Sequence, residues 1–140
     1  MRISARCDYA CRALLELALH WPSKSPLSIH TISKNQNIPM KYLVHILLQL
    51  KRMSLVESIR GKEGGYILKK SPNNIRLGEV MEKMGEPLLS KSNISEKEYS
   101  FFFNIWREIG EEIEGFLNKI TFEDIVNRVQ GLRGVIVYQI

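Results

Sequence analysis

Cysteine is scarce in this sequence, with only Cys7 and Cys11 among 140 residues. The two lie one helical turn apart, a spacing at which side chains diverge from disulfide geometry, so no internal bridge is expected. Long hydrophobic runs are absent as well. No stretch approaches 18 uninterrupted apolar residues, which excludes a membrane-spanning helix. The opening Met1-Arg2-Ile3-Ser4 lacks the charged-then-apolar layout of a signal peptide. A soluble, cytoplasmic protein with no membrane partner is expected. Histidine is sparse and scattered, at positions 20, 30 and 45. With no phosphate loop, no metal-ligand pair and no nucleophile beside a base, the sequence offers catalysis no foothold, and the chain is not expected to be an enzyme.

What is present is unevenly distributed. Residues 1–70 hold 12 Lys and Arg against 4 Asp and Glu, and residues 71–140 hold 8 against 11. The front half therefore carries +8 and the rear half −3, giving the overall +5. A basic front suggests that this end meets a polyanion.

The front half reads as helices. Ser4 caps a first helix running to about Trp21, where Pro22 stops it, with Ala10, Cys11, Leu14, Leu17 and Ala18 as its apolar stripe. Ser28 caps a second helix with Ile29 and Ile32 inward. Asn37 stands where the chain must turn, and Pro39 follows at a first-turn position. The third helix, Pro39 to Met53, buries Leu43, Ile46, Leu47 and Leu50 and leaves Lys41, Tyr42, Val44, His45, Gln49 and Arg52 outward. Two helices joined tightly, the second polar on its free face, form a helix-turn-helix.

The next segment gives that pair a use. Leu55 to Ile59 and Tyr66 to Leu68 have strand character, and between them lies Arg60-Gly61-Lys62-Glu63-Gly64-Gly65. A thin basic hairpin after a helix-turn-helix is a DNA-gripping wing. Arg60 suits a narrow minor groove and Lys62 a phosphate. The expected fold is mainly α, a winged helix-turn-helix followed by a long C-terminal helix.

The rear half is organised otherwise. A short helix, Leu77 to Met84, is broken by Gly85 and Pro87, and a polar linker spans Ser90 to Lys97. From Glu96 to about Lys119 the apolar positions Tyr99, Phe102, Trp106, Ile109, Ile113, Phe116 and Ile120 alternate gaps of three and four, which is a heptad seam. Such a helix, about 36 Å long, outruns the front domain and calls for a second copy of the chain. Thr121 and Asp124 then form a capping box for a final short helix, Phe122 to Val129. The β-branched tail from Gly134 to Ile140 has no assigned place. The divisions are residues 1–87 for DNA binding, 88–97 as linker or sensor loop, and 98–140 for dimerisation.

These features together resemble the Rrf2 family of bacterial dimeric winged-helix regulators. The resemblance runs through Met1-Arg2-Ile3-Ser4 to Tyr9-Ala10, Arg12 to Ala18, Ile38-Pro39 to Tyr42-Leu43, Leu55-Val56, Arg60-Gly61, Gly64-Gly65-Tyr66, and Trp106-Arg107 to Ile120-Thr121. It implies a homodimeric transcription regulator, a repressor, on a palindromic duplex-DNA operator. It places Lys41, Tyr42, Val44 and His45 on the recognition surface, Arg60 in the wing and Arg2 near the phosphates. Ser28, Pro39, Gln49 and Lys62 complete the candidate DNA-facing set.

Some family members hold an iron–sulfur cluster with three loop cysteines. This chain has no Cys or His between Pro87 and Trp106, and Ser100 and Phe103 occupy the last two ligand positions. The usual cluster is therefore not expected. Asp8 matches a ligand position that some members use. The roles open to Cys7, Asp8 and Cys11 are an inert buried thiol for Cys11, a redox switch at Cys7, and a metal or iron–sulfur site using all three residues. A small effector or protein partner acting at the junction of the linker with Phe101, Phe102 and Phe103 is the expected source of control. A winged-helix protein-interaction module is the rival to DNA binding.

Overall fold

The computed structural model describes residues 2–87 and 101–138, with side chains described as far as Gly134. Helix α1 (Ala5–Leu19) starts at Ser4, whose Oγ accepts from the Cys7 amide at 3.2 Å. Helix α2 (Ile29–Gln36) starts at Ser28, whose Oγ accepts from the Thr31 amide at 3.1 Å. It ends at Asn37, left-handed at φ 53°. Ile38 and Pro39 then lead directly into α3 (Met40–Arg52), so the turn between the two helices is short enough to fix their angle.

A single hydrophobic core holds these helices together. Leu14 and Leu17 of α1, Ile32 of α2, and Leu43, Ile46, Leu47 and Leu50 of α3 are all buried in it. Glu16 adds a polar tie. Its buried carboxylate accepts from Asn35 and Gln36, each at 2.8 Å, and so clamps the end of α2 to α1. A buried carboxylate left without such donors would cost several kcal/mol, on the order of 3–5.

Strands β1 (Val56–Ile59) and β2 (Gly65–Leu68) pair antiparallel, Val56 opposite Leu68 and Ile59 opposite Gly65. Leu27 joins as a third partner, exchanging two backbone hydrogen bonds with Tyr66 at 3.0 and 2.8 Å. Gly65 allows that approach: a Cβ there would lie 2.2 Å from the Leu27 carbonyl oxygen. At the tip, Gly61 has φ 122°, a conformation that side chains resist.

After a short 3-10 turn (Pro72–Asn74), α4 (Leu77–Lys83) ends at Met84. Helix α5 (Phe101–Lys119) lies against α4 along one side, and α6 (Phe122–Tyr138) lies against α1. The corner between α5 and α6 is fastened to the front core. Leu77 N–H donates to Ile120 O at 2.8 Å, Phe122 N–H donates to Ile75 O at 2.9 Å, and Phe122 is fully buried. None of the described helices is long and apolar enough to cross a membrane.

Two sequence expectations change here, and a third is not reached. The last helix is not short: it continues past Val129 to Tyr138 and absorbs most of the unplaced tail. Gly131 and Gly134, poor helix formers, hid this continuation, but neither meets a neighbour that would stop the helix. Ile120 lies beyond the end of α5, half-buried at the corner, so the outward seam stops at Phe116. Tyr99, Ser100 and the linker lie outside the described residues.

Candidate nucleic-acid interface

The amphipathic phase of α3 decides which side chains are offered to a partner. With Leu43, Ile46, Leu47 and Leu50 committed to the core, Lys41, Tyr42, Val44, His45 and Arg52 are exposed, as the periodicity requires. Leu48 is exposed on the same helix, an apolar position the sequence reading passed over. Pro39 is the residue before the first turn and is exposed. Arg2 is exposed ahead of the α1 cap, while Ser28 spends its hydroxyl on capping α2 and on Thr31 Oγ1 at 2.9 Å.

The first turn of α3 is braced by a run of cations and rings reaching back to α1. The Arg12 guanidinium lies 5.4 Å from the Tyr9 ring, Tyr9 stacks with Tyr42 at 6.2 Å, and Lys41 Nζ lies 5.0 Å from the Tyr42 ring. Each cation–ring contact at an exposed site contributes about 0.5–1 kcal/mol, enough to bias the direction of Lys41, while Arg12 is held further by its Nη1 donating to Gln36 O at 3.3 Å. Asp8 forms a salt bridge with Arg12 at 2.6 Å, so the carboxylate considered as a metal ligand neutralises a neighbour on its own helix.

Gln49 is not free, contrary to expectation. Arg6 Nε donates to its Oε1 at 3.2 Å, and Arg6 Nη2 donates to the same oxygen. Arginine has no acceptor, so the amide orientation is unambiguous: oxygen toward Arg6, NH2 outward. With both lone pairs taken, Gln49 offers a partner only its donors. Helical spacing could not show this, because the partner sits 43 residues earlier on another helix.

The wing leaves α3 through a 2.8 Å hydrogen bond from Lys51 Nζ to Ser58 Oγ. Arg60 and Lys62 are exposed at its tip. The structure thus gathers Lys41, Tyr42, His45 and Gln49 on one helix face and carries Arg60 and Lys62 on the hairpin that follows it.

The thiols are placed the opposite way round from expectation. Cys7 is 1% exposed and belongs to the core, whereas Cys11 is only partly buried. The buried stripe of α1 runs through Cys7, Ala10, Leu14 and Leu17, and Cys11 flanks it. The neighbouring Cys11 thiol lowers the Cys7 pKa, while the Cys7 thiol, with burial adding to it, raises that of Cys11. Above them Glu86 accepts from the Ser4 amide at 3.1 Å and from the Ser4 hydroxyl, tying the end of the α4 segment to the start of α1. Among the described residues no three His, Cys, Asp or Glu side chains converge as a metal site.

A helix-turn-helix with an outward basic helix face and a two-stranded wing defines a winged-helix DNA-binding regulator. The chain belongs to the Rrf2 family, whose description, "Iron-dependent Transcriptional regulator", matches residues 3–128. It is similar to the HTH-type transcriptional regulator IscR of Serratia proteamaculans, 33% identical over 132 residues covering 91% of this chain and 80% of that one. The IscR of Pectobacterium carotovorum is 32% identical over 137 residues, covering 94% and 83%. Among solved structures, the global cysteine regulator CymR of B. subtilis superposes with a TM-score of 0.82 at 28% identity, covering 91% of this chain and 98% of that one. T. potens IscR superposes with a TM-score of 0.77 at 26% identity, covering 92% and 88%. The protein is a DNA-binding transcriptional regulator and not an enzyme.

Proposed function

We propose that the chain works as a homodimeric repressor that reads a palindromic operator, with one α3 helix in each of two successive major grooves and the wings reaching the flanking minor grooves. The observation that carries this reading is the pairing of two exposed surfaces on one fold. The first is the outward face of α3 with its wing. The second is the α5 seam, where Phe102 and Phe116 are 57% and 64% exposed beside exposed Trp106 and Ile109, with Ile113 half-buried among them. An apolar ridge of this kind on a regular helix is what a second copy of the same helix covers.

In this reading Lys41, Tyr42, Val44 and His45 face base edges. Gln49 donates to an acceptor edge, Arg60 enters the minor groove, and Arg2 and Lys62 meet phosphates. The family description speaks of iron, but the donor set here does not fit a cluster held by loop cysteines. Such clusters need thiolates, and this chain's only two are neighbours on α1, with Cys7 sealed in the core. Control is therefore assigned to a small effector, a protein partner or the thiols.

Fluorescence anisotropy with generic duplex across a salt series tests DNA binding. Affinity that falls steeply with salt supports it, and affinity indifferent to salt favours a protein-interaction module.

A further inference from the structure

An open-sided cleft of about 480 Å³ lies between α1 and α3, lined by Ala5, Arg6, Tyr9, Tyr42, His45, Ile46 and Gln49. We propose that this cleft is an effector site for a small aromatic carboxylate, and that its occupancy opposes DNA binding. The regulatory half of the proposal rests on the DNA-reading role of α3 argued above.

The ligand class follows from the walls. The volume falls in the usual range of small-molecule sites, roughly 300–1,000 Å³, and is too small for a protein segment with its own core. The lining is mostly apolar and aromatic, with the rings of Tyr9 and Tyr42 stacked on each other and Ile46 behind them. A planar aromatic group suits such walls. The polar groups are a guanidinium, an imidazole and an amide, from Arg6, His45 and Gln49, and none of the seven lining residues is acidic. Beside the cleft, Lys41 adds positive charge over the Tyr42 ring, and the nearby carboxylate of Asp8 is already held by Arg12. A guanidinium fork favours a carboxylate over the neutral amide oxygen it now holds, because the charge-assisted bond is stronger. Arg6 thus has a better partner than Gln49 available to it.

The regulatory consequence comes from shared side chains. Tyr42, His45 and Gln49 line the cleft and also stand on the DNA-facing surface of α3. A carboxylate on Arg6 releases the Gln49 oxygen that Arg6 fixes, and an aromatic ring against Tyr42 and His45 occupies side chains the operator needs. Ligand and DNA then bind in opposition, each weakening the other by the same factor.

Calorimetric titration of the full chain with 2-naphthoate, and separately with its neutral isostere 2-naphthamide, tests the site directly. The expected result is saturable binding of the carboxylate, with the amide weaker by roughly tenfold or more, as loss of a charge-assisted bond requires. Arg6→Met should weaken 2-naphthoate by a similar factor. Ala5→Phe, at an exposed first-turn position, should plug the cleft and abolish binding without altering the thermal melt. Anisotropy with labelled duplex should then show 2-naphthoate releasing DNA from the wild type at concentrations at which 2-naphthamide does not. Equal binding of acid and amide, or acid binding untouched by both substitutions, would overturn the site. Naphthoate binding that leaves duplex affinity unchanged would overturn the opposition. Failure of the wild type to bind any duplex would instead sink the DNA-reading role, and the calorimetry would still report on the cleft.

Discussion

Arg60 and Lys62 sit two positions apart on the same exposed tip and are assigned different tasks. A guanidinium in a narrow groove contributes to sequence preference, so Arg60→Ala should weaken specific binding by about 1–3 kcal/mol. An ammonium on phosphate contributes evenly, so Lys62→Ala should lower affinity for all duplexes and reduce the salt slope by about one. Anisotropy on specific and scrambled duplexes separates the two, and identical operator affinity in wild type and Arg60→Ala would take the wing out of the mechanism. Gly65 matters in another way. Gly65→Ala drives a Cβ into the Leu27 carbonyl and should destabilise the fold by about 1–3 kcal/mol, read as a lower melting midpoint, because the contacted atom is backbone and cannot swing aside. At this scale the sequence was only partly readable. The exposed residues of α3 follow from its 3.6-residue period, but the capture of Gln49 by Arg6 and the burial of Cys7 in place of Cys11 depend on which neighbouring helix each faces, and local spacing does not encode that.

The elements were legible where the chain announces its ends. Ser4, Ser28 and Asn37 start and stop helices where their side chains and backbone preferences place them. The Thr121–Asp124 box is formed reciprocally: Thr121 N–H donates to Asp124 Oδ2 at 2.9 Å and Asp124 N–H donates to Thr121 Oγ1 at 3.1 Å. The far end of α6 was not legible, since two glycines disguise a helix that tertiary contact with α1 sustains. The box makes a pH prediction. The bonds from Thr121 hold the Asp124 pKa below its ordinary value. Its contribution to stability is therefore complete above the unfolded carboxylate's pKa, near 4, and is lost as pH falls through the lower folded value. Thermal melts between about pH 6 and pH 2 should show a smaller acid-induced drop for Asp124→Asn than for the wild type. Parallel curves would remove the box from the pH response.

At the scale of the whole molecule, the α5 seam and the α3–wing surface are joined through the corner that Ile75, Leu77, Ile120 and Phe122 fasten. Two copies joined along α5 would hold their recognition helices at a fixed spacing. Phe116→Glu places a charge on the exposed part of the ridge, where the monomer fold tolerates it, and should convert a dimer to a monomer in light scattering at micromolar concentration. A wild-type monomer under those conditions would contradict the assembly.

The central claim is a twofold reader of duplex DNA, and selection of binding sites from a random duplex library by the 140-residue chain tests it most directly. The account predicts enrichment of an inverted repeat whose half-sites lie about one helical turn apart, roughly 34 Å or a multiple of it. Enrichment of a single unrepeated site, or no enrichment over the starting library, would contradict it.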